Sequence, residues 1–519
     1  MEKEQKKGIL GYAAVMGIIV VAAKFLGLLR DILVANLYGS GTEAIAYETA
    51  SRLPVTVFDL VIGGVVSAAF IPVFNSVMVK KGKPDAMRFA NSYVNFILLI
   101  CSAIAAAGII FARPLVSLIA PDISAEASSL AVGLTRIMFP MIIFTGLAFS
   151  FVGILQSLGE FNIPALISLV SNAIMVAYLF CLNRYFGIVG LALAMLIGWM
   201  AQAVIQIPKV HSLGFRYRPS LRIFDSELLR AAKSALPILI GTWTTPICNL
   251  INTRFASGIE GGRAMTAIGY ANRLYTVIVG IFSFVATNLL FPYFSRAEAE
   301  GDRSGAERMI RTSIKTLVYI IAPIAAGIMF LSVPFTSLVY ERGVFTASDT
   351  ALTATALSRY AVGMIFMAAN EVIVKALFAA ERPRISMISS LVSMSFNIVL
   401  VTFLADRLGV GGIALASSAA TALNLAINLF AAGRAGICRL RLSDLFDILS
   451  SVASAAAMLV PIYFIMQAVQ SPLPKIVLSV AAGAPVYFIV SVLLRSEEAR
   501  FITDAVRRKL SRTSGEDAQ

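Results

Sequence analysis

Long apolar runs, each closed by a short polar or glycine-containing stretch, follow one another from Gly8 almost to the carboxyl end. A bilayer core of ~30 Å is crossed by about 20 residues of α-helix rising ~1.5 Å each. Fourteen segments reach that length: 9–37, 46–79, 90–112, 130–157, 163–183, 187–208, 232–256, 265–294, 312–339, 351–379, 385–405, 410–433, 448–469 and 475–494. Only short glycine-containing turns separate the fifth from the sixth and the eleventh from the twelfth. The first run follows Lys3, Lys6 and Lys7 and continues to about Leu37. That exceeds a signal-peptide core of ~7–15 residues, and no small-residue cleavage site follows, so it reads as a retained helix. The pattern predicts an all-α polytopic membrane protein with 14 transmembrane helices.

The polar positions give those helices a direction. With the amino terminus in the cytoplasm, the even-numbered connections and both tails carry 29 of the 43 lysines and arginines. The opposite connections carry six: Arg113, Arg184, Arg263, Arg342, Arg407 and Lys475. This asymmetry follows the positive-inside rule and predicts both termini and the 209–231 connection to be cytoplasmic.

The pattern also repeats at an offset of 220 to 222 residues. RLPVTVFDLVIGGVVSAAFIPVF from Arg52 resembles RLYTVIVGIFSFVATNLLFPYF from Arg273. RPLVSLIAP from Arg113 returns loosely as VPFTSLVYE from Val333, and FGIVGLALA from Phe186 returns as LGVGGIALA from Leu408. Each unit holds six helices, an even number, so the two have the same membrane orientation and form a parallel repeat. The organisation read from this is a first six-helix repeat over 1–208 and a cytoplasmic connection over 209–231. A second repeat then spans 232–436, two extra C-terminal helices lie within 437–494, and a basic cytoplasmic tail runs over 495–519.

Composition agrees with lipid as the solvent. Hydrophobic residues make up 58% of the chain and charged residues 14%, against roughly 25% charged in soluble domains. The net charge of +14 needs no nucleic-acid partner, because anionic lipids of the inner leaflet attract basic loops. Cys101, Cys181, Cys248 and Cys438 lie far apart in apolar runs without metal or redox spacing, and read as small buried hydrophobes. His211 is the single histidine, so triads and zinc sites lack their usual parts. The chain reads as no enzyme.

Besides Lys233, Lys315 and Lys475, counted with the connections, twelve charges fall inside the predicted spans. The basic ones are Lys24, Arg30, Arg52, Arg136, Arg254, Arg273, Arg359 and Lys375; the acidic ones are Asp31, Glu48, Asp59 and Glu371. Facing lipid at a helix centre, each would cost about 2.5–3.5 kcal/mol, so they should face a wet cavity or one another. Arg136, Arg254 and Arg359 lie near the outer ends, where snorkelling accounts for them. Lys375 lies near a cytoplasmic end, four residues after Glu371, a spacing that suits an ion pair. Lys24 lies near mid-bilayer and shares a helical face with Asp31, whereas Arg30 has no acidic residue four positions away. Arg52 and Arg273 are equivalent in the repeat, and arginine forks fit phosphate oxygens. The headgroup-binding residues read from this are Lys24, Arg30, Asp31, Arg52 and Arg273, with Glu48, Asp59, Glu371 and Lys375 as supporting charges. The bland alternative pairs Arg52 with Glu48 one turn before it or Asp59 two turns after it.

At these residues the chain resembles the MurJ (MviN) lipid II flippases of the multidrug/oligosaccharidyl-lipid/polysaccharide exporter superfamily. KFLGLLRDILVANLYGSG from Lys24 resembles the opening motif R-x-L-G-x-x-R-D followed by a glycine turn. YANRLY around Arg273 is similar to Y-A-D-R-L, and ERGVFTASDT from Glu341, with RYAVG at Arg359, resembles the loop between helices 9 and 10. The resemblance covers essentially the whole chain, including two helices beyond the repeat.

It implies movement of undecaprenyl-diphosphate-linked disaccharide-pentapeptide from the inner to the outer leaflet of the bacterial cytoplasmic membrane for cell-wall synthesis. It also implies alternating access, a basic cavity for the diphosphate, a groove for the lipid tail formed with the two extra helices, and cell-wall synthesis enzymes as partners. No cofactor is implied beyond an ion gradient or membrane potential. Carried over residue by residue, Arg30, Asp31 and Arg273 match, and Lys24 stands where arginine is usual. Phe58, Gly63 and Ile45 replace the family's helix 2 arginine, helix 2 glutamate and loop aspartate.

Two other readings stand beside this one: a flippase for another polyprenyl-diphosphate-linked oligosaccharide, and a multidrug cation antiporter of the same superfamily. The antiporter needs membrane carboxylates for its cationic cargo, and here cations outnumber anions in the spans.

Overall fold

A computed structural model gives the protein as an all-helical chain over the residues it describes, 2–61, 70–219, 243–280, 302–380 and 382–504, with side chains from residue 17 onward. Segments 46–79, 232–256 and 265–294 and the connection 209–231 therefore lie partly outside the described residues, as do Gly63 and the end of the basic tail. Among the described residues there is no strand, and nine helices are long and apolar enough to cross a membrane. Their outward faces carry Phe180, Phe403, Phe464 and Leu493, each more than 60% exposed. Aromatic and aliphatic surface of that extent is stable only against lipid.

One of the nine, Pro383–Arg434, has 52 residues. As a straight rod it would measure about 78 Å, more than twice a ~30 Å bilayer core. It is a hairpin. Ser389 Oγ donates to Asn428 Oδ1 at 2.6 Å, and Ser393 Oγ to the Ala420 carbonyl, so steps along one arm are matched in reverse along the other. The reversal falls at Gly409, whose φ of 56° and ψ of −137° suit glycine alone.

Asn162–Cys181 and Asn183–Val204 make the same hairpin. Tyr178 donates to the Gly187 carbonyl at 2.6 Å, and a Cβ on Gly198 would lie 3.2 Å from the Ser171 carbonyl oxygen. Gly187 has φ 53° and ψ −144°. Gly187 and Gly409 are 222 residues apart, so the internal repeat recurs as one backbone conformation at both turns.

The chain divides into two compact units, the first comprising 1–269 with 342–349 and the second 270–341 with 350–519. In the first, Phe70 sits 4.6 Å from Tyr93 and 5.5 Å from Phe89 between ring centroids, and Phe139 fills the space beside Gly108. In the second, Arg303–Tyr340 packs against the extra helices Leu442–Ala457 and Pro472–Leu493. Tyr487 there donates to the Tyr319 carbonyl at 2.7 Å.

Cys101 and Cys438 are buried; Cys181 is exposed and Cys248 half-buried, which corrects the reading of all four as buried. A small thiol is tolerated on an apolar, lipid-facing surface as well as in a core. Burial pushes the Cys438 thiol, in the turn before Leu442, up to about 12.

Candidate functional site

The intramembrane charges of the first helix, Glu2–Tyr38, lie on its second half. Asp31 is buried, and its Oδ1 accepts from Arg30 Nε at 3.0 Å and Nη2 at 2.8 Å. The neutralising cation is thus the adjacent arginine rather than Lys24. Neighbouring positions point to different helical faces, but an arginine stem is long enough to turn its fork back. Arg30 Nη1 donates to Asn172 Oδ1 at 2.9 Å, and Asn172 Nδ2 reaches the Ala23 carbonyl at 3.4 Å. Asn172, on the 162–181 helix, therefore fixes the arginine from the side opposite its carboxylate. Lys24 is half-buried one to two turns earlier.

On Thr42–Val61, Arg52 closes on Glu48 Oε1 through Nε at 2.8 Å and Nη2 at 2.7 Å. The side chains are 18% and 7% exposed. A Cβ on Gly269 would fall 2.5 Å from Glu48 Oε1 and 3.3 Å from Arg52 Nη2. Glycine at that point of helix 263–280 is what admits the pair. Asp59 is half-buried two turns beyond, and Phe58 is buried with its ring 5.2 Å from Phe149. Phe58 extends the core where the related motif has an arginine. Ile45 is likewise buried, beside Gly262.

In the second unit the Arg273 guanidinium lies 5.9 Å from the Tyr270 ring centroid. Tyr270 stacks 5.0 Å from Tyr340, and Tyr275 lies 5.5 Å from Tyr360. An aromatic flank attracts a guanidinium through its ring quadrupole. Glu371 and Lys375 are half-buried on Ala347–Ala379, and among the described residues no ion pair joins them. A pair at this spacing contributes about 0.2–0.5 kcal/mol, too little to impose its geometry.

Two charged clusters were not anticipated. In the first unit, Asp349 is buried and accepts from Arg263 Nη2 at 2.6 Å, from Ser40 Oγ, and from the backbone N–H and hydroxyl of Thr346, both at 2.8 Å. The chain there also donates from Val344 N to the Asn36 carbonyl at 3.0 Å. In the second unit, Lys315 is 5% exposed and meets Asp447 at 3.1 Å, Glu497, and Asp444 at 3.7 Å, while Arg311 Nε lies 2.9 Å from Asp444 Oδ2. Asn172 was missed because only charged residues were sought inside the spans; a polar amide in mid-span was its signal.

Among the described residues no group of histidine, cysteine or carboxylate side chains could hold a metal ion. The chemistry available is anion binding by guanidinium and ammonium groups.

A family model described as "Lipid II flippase MurJ" matches residues 34–480. A protein named "Probable lipid II flippase MurJ" from Rhizobium meliloti is 28% identical over 534 aligned positions, covering 97% of each chain. One of the same name from Buchnera aphidicola subsp. Schizaphis graminum is 25% identical over 460, covering 88% of this chain and 89% of that one. The solved structure titled "Lipid II flippase MurJ, inward closed conformation" superposes with a TM-score of 0.82 at 23% identity, over 95% of this chain and 100% of that one. An inward-facing multidrug resistance MATE family transporter of the MOP superfamily superposes with a TM-score of 0.67 at 16% identity, over 81% and 98%. The last two are likenesses of fold.

Proposed function

The chain belongs to the lipid II flippase MurJ family, and from that premise we infer how its charges serve transport. It is a lipid II flippase and not an enzyme, moving the lipid-linked peptidoglycan precursor across the membrane for cell-wall synthesis. The observation that carries this is a family match over residues 34–480 in a chain whose membrane spans hold more cations than anions. Depletion complementation tests it. The chain should restore growth and shape to cells stripped of their own lipid II flippase, and lysis at the control rate with the protein present in the membrane would refute it.

The finer reading is as follows. The protein lies in the bacterial cytoplasmic membrane with 14 helices and both termini in the cytoplasm. Two six-helix repeats, 1–208 and 232–436, alternate access to a central cleft, driven by an ion gradient or membrane potential. The matched glycine turns at Gly187 and Gly409 support the repeat. Arg30, Asp31, Lys24, Arg52 and Arg273 receive the diphosphate and sugar. Arg30 is oriented by Asp31 and Asn172, and Arg273 lies with its guanidinium beside the Tyr270 ring.

Arg52 is engaged by Glu48. The diphosphate reaches it by displacing a carboxylate, an exchange between two anions that costs far less than stripping an arginine of water alone. Antiport of cations is the weaker reading: in the predicted spans Asp31 and Glu48 are each held by an arginine, and cations outnumber anions there.

A further inference from the structure

The turn from Ala435 to Arg441 joins the second hairpin to the first extra helix, and it is pinned from both sides. Glu307 Oε1 accepts from the Arg439 backbone N–H at 3.0 Å, and Asp444 Oδ2 accepts from that of Arg441 at 2.8 Å. Ile437 N–H donates to the Ala432 carbonyl at 2.9 Å, with Gly436 at a φ of 70°. Beside this turn lies an open groove of roughly 450 Å³ bordered by Phe430, Gly433, Arg434, Arg439 and Leu440.

Both arginines are exposed, and among the described residues no carboxylate pairs with either. Arg434 is held with its guanidinium 4.9 Å from the Phe430 ring centroid. Arg439 donates Nε to the Gly433 carbonyl at 2.9 Å, which turns its two terminal nitrogens outward. An arginine that merely snorkels keeps its head free in water; these two heads are set in place. The groove's own wall is apolar: Phe430 is 65% exposed, and Leu429 and Leu440 border it as well. Two fixed guanidinium forks over a greasy surface match one kind of molecule, a phosphodiester carrying acyl chains.

We propose that this groove binds the headgroup phosphate of an anionic phospholipid, with Arg434 and Arg439 as its two forks and Leu429, Phe430 and Leu440 against the acyl chains. The site stands on the second unit alone and does not depend on the cargo; only its assignment to the inner leaflet rests on the topology proposed above. Basic groups near a membrane surface strengthen anionic-lipid binding roughly fivefold each, so the pair contributes about 30-fold.

Native mass spectrometry of the full chain, titrated in detergent with phosphatidylglycerol or phosphatidylcholine, reads this directly. Phosphatidylglycerol should bind more tightly. Arg434→Gln with Arg439→Gln should lose about 30-fold for phosphatidylglycerol and little for phosphatidylcholine, with its thermal unfolding in phosphatidylcholine unchanged. Arg303→Gln with Arg382→Gln, which alters a neighbouring pocket that shares Ala435–Ile437 of the turn but neither groove arginine, should keep wild-type affinity. Equal binding of the two lipids, or full phosphatidylglycerol affinity in the first double variant, would overturn the site. So would displacement of phosphatidylglycerol by inorganic phosphate at equal concentration, which would make it a site for free anions. If the glutamine variant does not accumulate, Arg434→Lys replaces it, keeping the charge without the stacked fork; undiminished binding there would count equally against the proposal.

Discussion

Arginines and lysines within apolar helices come in two settings here. In the first unit, Arg30 and Arg52 each meet one carboxylate and keep part of the side chain open, 25% and 18%. In the second, Lys315 is 5% exposed and Arg311 12%, enclosed by Asp444, Asp447 and Glu497. The first setting has donors left for a visiting anion. The second is already neutralised, because three carboxylates surround two cations. A charge inside a membrane protein is therefore informative through its remaining valence rather than its presence.

The comparison breaks most visibly at Lys315. Lys315→Met leaves Asp447 and Asp444 buried with too little positive charge, and removing one partner of a buried pair costs about 3–5 kcal/mol. The variant should accumulate poorly and unfold well below wild type, read by fluorescence-detected thermal unfolding in detergent. A wild-type midpoint would show the cluster to be hydrated and its carboxylates screened.

Arg30→Ala should lose function while unfolding less far below wild type than Lys315→Met, because it strands a single carboxylate, Asp31. A hydrogen bond to a charged group is worth about 1.5–3 kcal/mol, so headgroup affinity should fall roughly 10- to 100-fold. Arg52 sharpens the contrast, since its carboxylate is also its competitor. Arg52→Ala should abolish complementation, and Arg52→Lys should partly restore it by keeping charge without the fork. Glu48→Gln frees the fork and should tighten lipid II binding several-fold, about 1 kcal/mol of competition removed. If Arg52→Ala regains function when combined with Glu48→Ala or Asp59→Ala, Arg52 serves only to neutralise an acid, and it leaves the binding site.

Much of this was legible in the order of residues. Run lengths located the nine membrane-length helices found among the described residues, and glycine at 187 and 409 marked the two hairpin turns where a positive φ is required. The intramembrane charges were visible as exceptions to apolar runs. Their partners were not. Lys24 and Asp31 share a face by periodicity, yet Arg30 reaches Asp31 because a flexible stem is not bound by the direction of its Cβ. Lys315 read as a loop cation, since its carboxylates lie 132 and 182 residues further on and only packing of the extra helices brings them in. Asn172 carries no charge at all, and its role appears only beside Arg30.

A third, more exposed pair calibrates the low end. Glu160 and Lys209 meet at 3.0 Å outside the spans, with side chains 17% and 40% exposed. Burial alone would raise the Glu160 carboxyl, but hydrogen bonds from Lys209 and the Asn162 backbone N–H outweigh it and hold the group below its ordinary value. A lowered folded-state value means that the contribution to stability is fully present above the ordinary glutamate range. It is lost as pH falls through the folded value. Because Lys209 is well solvated, the pair should contribute under ~1 kcal/mol, and less at high salt. Glu160→Gln should therefore lower the unfolding midpoint slightly at pH 7, and by progressively less as pH falls below the ordinary glutamate range. A drop as large as that of Lys315→Met would mean that solvent exposure does not separate the charges that hold this fold from those left free to act.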